Sequence, residues 1–389
     1  MVTLGIICII CIVGFIGCGM TSKDGRTQTH ENQPLALVQV GEKWGFIDTT
    51  GKFVVKPQFD EAYGFEKSGL AAVKVGNKWG YIDRTGKFAV KPVLDNYEDE
   101  LYGFVCGLAP IKIGNHQQGK FGYIDTTGKT VVEAQFDEAC GFSDNGLAAV
   151  KIGKKWGYID TTGKIVIEPR FEWTHEFKYG CARVEFEGKW GFIDASGKFV
   201  GKPHFDNVDD FVEDGFARVE IDDKWGYIDT MGNVVVEPHF NYVQNFAQGL
   251  AAVEKEEKWG YIDTKGNMVV APQFEYAYSF NESGLAAVEQ GSKIGFIDTT
   301  GTFVATPHFD KLGLSDNRFT AVKVGEKWGH IDCSGNVVVK PQFDEANRFG
   351  ECGLAAVMLG DYEHRKWGFI DTTGKFVIEP QFLDAKNFQ

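Results

Sequence analysis

Little in this sequence points to a helical protein or to a nucleic-acid ligand. The 389 residues include 5 methionines against 32 phenylalanines, and no stretch keeps a 3.6-residue hydrophobic period. Acidic residues outnumber basic ones, 54 to 40, which gives a formal net charge of −14. Binding to phosphate groups needs a basic surface, so no nucleic-acid partner is expected. The same charge predicts solubility and no electrostatic attraction to anionic lipid.

Motifs that carry chemistry are also scarce. Outside the apolar N-terminal segment there is no Cys-x-x-Cys pair, and the five later cysteines fall at four different repeat positions, so neither a disulfide framework nor a metal site is expected. We find no Ser-His-Asp set, no phosphate loop and no carboxylate pair that departs from the repeating pattern. The sequence therefore predicts a protein that is not an enzyme and that needs no cofactor or metal. The five cysteines are Cys106, Cys140, Cys181, Cys333 and Cys352.

The chain is rich in glycine and aromatic residues, and these recur at regular intervals. With 48 glycines and 14% aromatic residues, the composition suits short strands, tight turns and a stacked aromatic core. The motif Trp-Gly-(Phe/Tyr)-Ile-Asp, or a close variant, occurs ten times, mostly at intervals of 34 or 35 residues. Such a period indicates a tandem-repeat protein. The motifs begin at Trp44, Trp79, Phe121, Trp156, Trp190, Trp225, Trp259, Ile294, Trp328 and Trp367.

Each copy has the pattern of a small antiparallel sheet. In the second copy, the β-type run Leu70–Val75 is followed by Gly76-Asn77, two residues that accept a hairpin turn. A second strand carries the Trp-Gly motif, and a third ends near Pro92, since proline cannot donate to a ladder. The unit is predicted to be a three-stranded meander of about 35 residues followed by a connector.

Three repeated residues allow both a functional and a structural interpretation. The motif aspartate, followed three residues later by glycine, could form a row of cation ligands, but this spacing is typical of an aspartate that caps its own turn. The tryptophan could be a ligand platform, but Phe121 and Ile294 fill the same position, which favours packing. The glycine after tryptophan predicts close approach of another backbone, which we expect to belong to the neighbouring repeat.

A few residues break the repeat pattern and are the candidates for partner contact. Trp173 and His175 lie in a connector where other copies carry different side chains. His116 and Tyr362 lie in two of the three insertions, at Gly114 to Lys120 and Gly360 to Lys366, that with Asn96 to Tyr102 lengthen the spacing between motifs. Loop insertions and exposed aromatic residues are typical of contact sites, so these four residues are predicted to touch a partner.

The N-terminal segment predicts attachment to a membrane. Residues 1–17 are almost wholly apolar and resemble a signal sequence, and Phe15-Ile16-Gly17-Cys18 resembles a bacterial lipoprotein signal in which Cys18 is lipidated. An uncleaved anchor or an ordinary signal peptide is the alternative. Residues 18–33 are then the lipidated N-terminus and a polar, flexible tether, and residues 34–389 are the ten repeats. A cell-envelope location follows, with secretion as the alternative.

The repeat resembles a known family. Lys78-Trp79-Gly80-Tyr81-Ile82-Asp83, with Thr85-Gly86-Lys87 and Val90-Lys91-Pro92 after it, is similar to the WG-containing (KWG) repeat of bacterial proteins. The resemblance covers residues 34–389 and implies a non-enzymatic module of bacterial envelope and other proteins. It brings no catalytic motif with it.

Two architectures and two main functions follow. Ten all-β units could stack as an open β superhelix, which we predict because about 35 residues is small for a propeller blade and ten blades exceed the usual number. A closed propeller or toroid is the alternative. We expect a cell-envelope binding or scaffold protein for a protein or peptide partner, or else a carbohydrate-binding array. A passive spacer is a weaker hypothesis.

Overall fold

The computed structural model describes residues 33–94, 103–114, 119–315, 318–361 and 364–389. Every regular element in these ranges is a β-strand, as predicted. The first seventeen are β1 (Ala36–Val40), β2 (Lys43–Ile47), β3 (Phe53–Phe59), β4 (Glu61–Ala62), β5 (Ala71–Val75), β6 (Lys78–Ile82), β7 (Phe88–Leu94), β8 (Leu108–Ile113), β9 (Lys120–Asp125), β10 (Thr130–Phe136), β11 (Glu138–Phe142), β12 (Leu147–Ile152), β13 (Lys155–Asp160), β14 (Ile165–Phe171), β15 (Trp173–Thr174), β16 (Cys181–Phe186) and β17 (Lys189–Asp194).

The remaining strands continue the same succession to the C-terminus. They are β18 (Phe199–Phe205), β19 (Asn207–Val208), β20 (Phe216–Ile221), β21 (Lys224–Asp229), β22 (Val234–Phe240), β23 (Leu250–Lys255), β24 (Lys258–Asp263), β25 (Met268–Phe274), β26 (Tyr276–Ala277), β27 (Leu285–Gln290), β28 (Lys293–Asp298), β29 (Phe303–Phe309), β30 (Lys311–Ser315), β31 (Phe319–Val324), β32 (Lys327–Asp332), β33 (Val337–Phe343), β34 (Glu345–Phe349), β35 (Ala355–Leu359), β36 (Lys366–Ile370), β37 (Phe376–Phe382) and β38 (Asp384–Phe388).

These strands form ten antiparallel sheets, the blades of a β-propeller. Blade 1 is β38-β1-β2-β3, blade 2 is β4–β7, blade 3 is β8–β10, and blades 4, 5 and 6 are β11–β14, β15–β18 and β19–β22. Blade 7 is β23–β25, and blades 8, 9 and 10 are β26–β29, β30–β33 and β34–β37. The predicted connector is thus part of the sheet. It supplies a short inner strand to most blades, and in blade 7 it makes isolated bridges from Val243 and Ala247 instead.

The prediction of an open superhelix is wrong, because the last repeat pairs with the first. Strand β38 is antiparallel to β1, with Ala36 opposite Phe388 and Gln39 opposite Asp384. Backbone hydrogen bonds join Leu35 and Gln389 in both directions, each at 3.0 Å. An open array would leave an unpaired strand edge at each end, whereas closure pairs both.

The blades are held together by one aromatic contact that recurs around the ring. The phenylalanine or tyrosine that directly follows Trp-Gly in the motif of one blade packs against a phenylalanine at the end of the next blade's inner segment. Tyr123 and Phe142 have ring centroids 4.9 Å apart, and Phe46 and Phe65 are 4.7 Å apart. These phenylalanines are almost fully buried, so the core lies between the blades. Single units cannot bury this surface alone, which explains why the repeats stack.

The glycine after tryptophan is required within a blade. A Cβ atom on Gly80 would lie 2.5 Å from the carbonyl oxygen of Val90 and 2.8 Å from the nitrogen of Pro92, both on the outer strand of the same sheet. Close approach of a backbone was predicted correctly, but its assignment to a neighbouring repeat was wrong. The glycine that packs on a neighbour is the turn glycine: a Cβ on Gly86 would lie 2.9 Å from Val55 of the preceding blade.

Candidate functional site: the inner rim of the propeller

The motif aspartates form turns, as the structural interpretation predicted. Oδ1 of Asp83 accepts hydrogen bonds from the backbone N–H of Thr85 at 2.9 Å, the Thr85 hydroxyl at 2.6 Å and the Lys87 N–H at 3.1 Å. Gly86 has a φ of 84°, the left-handed conformation that glycine adopts without a steric cost. Within the described ranges, no group of three or more His, Cys, Asp or Glu side chains could hold a metal ion.

The motif tryptophans pack between strands and blades. Trp79 is 2% exposed and Trp156 is 4% exposed, and the others that the structure describes are buried or half-buried. They therefore contribute to the core, as the packing interpretation predicted. Lys74 and Lys151 lie over the rings of Trp79 and Trp156, with Nζ 5.7 and 5.6 Å from the centroids.

The exposed aromatic residues lie instead on the inner segments of a few blades. Trp173 in blade 5 is 44% exposed, Tyr242 in blade 7 is 62% exposed and Tyr278 in blade 8 is 37% exposed. At the same positions, other blades carry polar residues such as Asn207, Glu345 and Asn347. The exposed rings are thus local departures from the repeat and do not form a continuous row around the propeller.

Blades 7 and 8 bring several of these rings together into a tyrosine patch, defined here as Tyr242, Tyr276 and Tyr278. Tyr276 packs against Trp259 of blade 7 with centroids 4.9 Å apart and against Tyr278 at 4.8 Å. Its hydroxyl accepts a hydrogen bond from Nε2 of Gln244, two residues after Tyr242, at 2.8 Å. Tyr276 is therefore held by contacts from both blades, and Tyr242 lies close in sequence to Gln244, its hydrogen-bond partner in blade 7.

A carboxylate fixes the outer end of the tyrosine patch. The Tyr278 hydroxyl donates to Oε1 of Glu289 at 3.2 Å. Partial burial and the charge of Glu289 raise the pKa of Tyr278 to about 12, so the hydroxyl stays neutral at physiological pH. The patch offers flat rings, neutral hydroxyl groups and a carboxylate on ordered strands, which is a set suited to binding by stacking and hydrogen bonding.

Trp173 and His175 of blade 5 make contacts in opposite directions: Trp173 packs on blade 4, and His175 joins a charged network that reaches blade 6. Trp173 packs edge-on against Trp156 of blade 4, with centroids 5.9 Å apart. His175 lies 3.2 Å from Nη2 of Arg183, and Nε of Arg183 lies 2.9 Å from Asp210 of blade 6. Burial and then the positive charge of Arg183 lower the pKa of His175. This histidine has a structural role in the network, and Trp173 is the exposed member of the predicted pair.

The inner segments of five consecutive blades line a cavity of about 840 Å³. Blades 9, 10, 1, 2 and 3 contribute residues to it. Its walls combine apolar residues such as Phe65 and Phe349 with the charged residues Glu66, Arg348 and Glu351. Burial raises the pKa of Glu66. The cavity is formed by closure of the ring, because its residues come from both ends of the chain.

Sequence reasoning found part of this rim and missed the rest. The structure places Trp173 on it, whereas Cys18, His116 and Tyr362 lie outside the described residues. The tyrosine patch was missed because Tyr242, Tyr276 and Tyr278 were treated as part of the connector. The signal was present: aligned copies have polar residues at these positions, and Tyr276-Ala277-Tyr278 alternates as an exposed strand would.

The fold and its repeated inter-blade contacts define the chain as a closed, ten-bladed repeat propeller, an architecture consistent with a binding or scaffold role. The pattern described as "WG containing repeat" matches residues 44–79, 79–115, 121–156, 156–190, 190–225, 225–259, 259–293, 294–328, 328–362 and 367–389. The chain belongs to this family of WG containing repeats.

One solved structure that aligns with a TM-score above 0.5 supports the fold alone. A structure described as the eukaryotic initiation factor aligns with a TM-score of 0.53 at 11% identity, covering 91% of this chain and 98% of that one. Hsv2p of Kluyveromyces lactis aligns with a TM-score of 0.34 at 13% identity, covering 65% of this chain and 98% of that one. No curated protein matches the sequence. The described part of the chain contains no helix with the length and hydrophobicity of a membrane span.

Proposed function

We propose that this protein is a non-enzymatic binding protein that holds a protein or peptide partner on the inner rim of its propeller. The observation that supports the proposal best is the tyrosine patch, which is concentrated on two adjacent blades. Tyrosine and tryptophan are enriched where protein interfaces have their strongest contacts, because a ring buries a large area with little loss of side-chain entropy. A patch confined to a few blades suits one specific partner better than a repeating polymer.

The closed ring also supports this role. Phe246 and Phe280, at the ends of the inner segments of blades 7 and 8, pack against Tyr227 and Tyr261 of the preceding blades, so the patch is held on ordered strands before a partner arrives. Ordering before binding reduces the entropy that association costs. The cavity lined by blades 9, 10, 1, 2 and 3 offers a second surface to the same partner or to a flexible segment of it.

The experiment begins with residues 32–389 immobilised as bait in an envelope extract of the source cell. A retained protein is identified and purified, and its affinity is measured by isothermal titration calorimetry. Tyr242→Asn, Tyr276→Asn and Tyr278→Asn are combined in the patch variant, since asparagine occupies these positions in blade 6 (Asn207) or blade 10 (Asn347). The matched control combines Tyr63→Asn and Tyr179→Asn, which are 49% and 58% exposed elsewhere on the ring.

We expect the patch variant to bind the purified partner at least ten times more weakly, while the control variant binds as the unmodified protein does. Equal affinities for all three proteins would refute a binding role for the patch. Circular dichroism of both variants checks that the fold is retained.

A glycan is the second candidate ligand, supported by the exposed rings of Trp173 and Tyr242. Aromatic rings flanked by hydrogen-bonding groups can stack on sugar rings. Saturable retention of a polysaccharide fraction that is lost in the patch variant, with no protein retained, would favour this candidate over a protein partner.

We further propose that the protein acts at the cell envelope. A lipid on Cys18 holds it there, and residues 18–33 join the lipidated end to the propeller. The lipoprotein-like sequence Phe15-Ile16-Gly17-Cys18 supports this location. Cys18→Ser should release the protein from the membrane fraction of the source cell. Retention of that variant in the membrane would instead support an uncleaved anchor.

A further inference from the structure

Blade 5 departs from the other blades at its outer strand. In blade 6 Tyr227 lies opposite Val236, and in blade 1 Phe46 lies opposite Val55. In blade 5 Phe192 lies opposite Val200, one residue earlier, and the residue aligned with Val236 is Gly201. Gly201 has a φ of 74° and is exposed. The pairs Trp190–Phe205 and Ile193–Phe199 match those of blade 6, so the pairing is shifted by one residue only at Phe192, and Gly201 lies in the unpaired stretch that follows.

The shifted pair lies beside a cleft of about 430 Å³ on the outer part of blade 5. The walls of this outer cleft are Phe186, Phe199 and Pro203, with Gly201 between the last two. Phe186 and Phe199 contact each other with centroids 5.4 Å apart, and both are half-buried. The volume is within the range of small-molecule sites, and the walls are mostly apolar.

The same position in blade 7 provides an internal comparison. There a cavity of about 270 Å³ is lined by Lys255, Glu256, Lys258 and Pro272. Lys255 stands where blade 5 has Phe186, since each is paired with the first lysine of the next strand. A shallow groove is therefore a feature of the repeat, and in blade 5 it is enlarged and lined with aromatic rings.

The charges around the outer cleft favour an anion. Lys202 lines it, and its ammonium group makes no ion pair with any residue in the described ranges, whereas Lys189 is paired with Asp206 at 2.5 Å. The guanidinium of Arg170 lies 5.4 Å from the centroid of the Phe199 ring and is a second positive charge near the cleft. Glu187 is the acidic residue of the lining. An apolar wall with a lysine at its edge fits a molecule that has an apolar ring and a negative group.

We propose that the outer cleft of blade 5 binds a small amphipathic organic anion, with its apolar ring against Phe186 and Phe199 and its anionic group near Lys202. This site is separate from the inner rim and does not depend on the function proposed above.

The probe is anilinonaphthalene sulfonate, an aromatic anion that fluoresces when it leaves water, titrated into the folded chain of residues 32–389. The first variant is Gly201→Val, which turns the outer strand of blade 5 into Phe-Val-Val-Lys-Pro, the sequence that blade 1 already carries at residues 53–57. The second is Phe186→Ile, since isoleucine occupies this position in blades 4 and 6 as Ile152 and Ile221. Both variants take residues that other blades carry at the same positions; at Gly201, where φ is 74°, the strand must also adopt the pairing of blade 1.

Charge is tested separately with Lys202→Gln and its matched control Lys56→Gln, the aligned lysine of blade 1. We expect saturable binding at one site per chain, weakened at least tenfold by Gly201→Val or Phe186→Ile. Lys202→Gln should weaken the sulfonate severalfold without changing the affinity for neutral phenylnaphthylamine, and Lys56→Gln should change neither. If no saturable binding occurs, or if Phe186→Ile and Lys202→Gln both leave it unchanged, the proposal is wrong, even should Gly201→Val fail to fold.

Discussion

Phe369 of blade 10 and Phe388 of blade 1 pack with ring centroids 4.9 Å apart and an interplanar angle of 56°. Tyr123 and Phe142, at an interface inside the chain, have the same separation and an angle of 57°. The boundary at which the two ends of the repeat array meet is therefore built like any other boundary between blades. Closure needs no special device, because the last repeat carries both halves of the contact, as other repeats do; in the repeat that begins at Ile294, Ser315 takes the place of the phenylalanine.

This equivalence predicts the cost of opening the ring. Phe388→Ala and the internal control Phe142→Ala should each lower the free energy of unfolding by about 3 kcal/mol, the usual effect of removing a buried phenylalanine ring. Urea denaturation of both variants measures it. A C-terminal residue of an open array would fray at little cost, so a loss under about 1 kcal/mol for Phe388→Ala alone would contradict closure in solution.

The glycine after tryptophan should tolerate no side chain. Gly80→Ala would bring a Cβ within 2.5 Å of the Val90 carbonyl oxygen, so the two strands must separate. We expect a loss of stability of about 2 to 3 kcal/mol. The control is Gly76→Asn in the hairpin turn of the same blade, where no atom lies within 4 Å of the added Cβ. Thermal unfolding of both variants should show a large decrease in Tm for Gly80→Ala and a small one for Gly76→Asn.

The motif aspartates should stabilise turns without a metal. Asp83→Ala removes the acceptor of three hydrogen bonds and should lower the free energy of unfolding by about 1 kcal/mol. Adding calcium or EDTA to the unmodified protein should leave its Tm unchanged. A rise in Tm with calcium that disappears in Asp83→Ala would revive the hypothesis of cation ligands.

These carboxyl groups also predict the response to acid. In Asp371 the hydrogen bond from the Thr373 hydroxyl is the largest influence and lowers the pKa below its usual value of 3.8. The pKa is lowered likewise in the other nine motif aspartates, Asp48, Asp83, Asp125, Asp160, Asp194, Asp229, Asp263, Asp298 and Asp332.

Because the folded state lowers each pKa, it favours the ionised form. That contribution to stability is complete above the unfolded-state pKa near 3.8 and is lost as the pH falls through the lower folded-state pKa. The urea midpoint should therefore decrease steadily between about pH 5 and pH 2. A midpoint at pH 3 equal to that at pH 7 would show that the turns do not contribute in this way.

His330 should be replaceable by the tyrosine of other copies. It is fully buried in the position of Tyr158 and Tyr261, and its Nε2 lies 2.8 Å from the carbonyl oxygen of Asn347. The Tyr261 hydroxyl donates to the equivalent carbonyl, that of Tyr278, at the same distance. His330→Tyr should keep the hydrogen bond, bury more apolar area and raise Tm by a few degrees, measured by calorimetry. A lower Tm would show that this interface has adapted to the smaller ring.

Much of each blade could be read from the sequence, because its causes are local. The strand from Lys78, the hairpin at Gly76-Asn77 and the turn capped by Asp83 follow from side-chain alternation and from hydrogen bonds over a few residues. The burial of the motif tryptophan could be predicted because Phe121 and Ile294 occupy the same position in two copies. The tyrosine patch could have been noticed in the same way, by comparing connectors position by position.

The sequence by itself determined the repeat, the strands, the turns and the residues that pack between units. Only the tertiary structure decided that the array closes, that the inner segments of five blades line a cavity, and that a local shift in pairing at Phe192 lies beside a cleft. The physical reason is that each unit rotates slightly relative to the last, and the sum of ten such rotations distinguishes a ring from a superhelix. That rotation is set by packing at every interface at once, which no single repeat encodes.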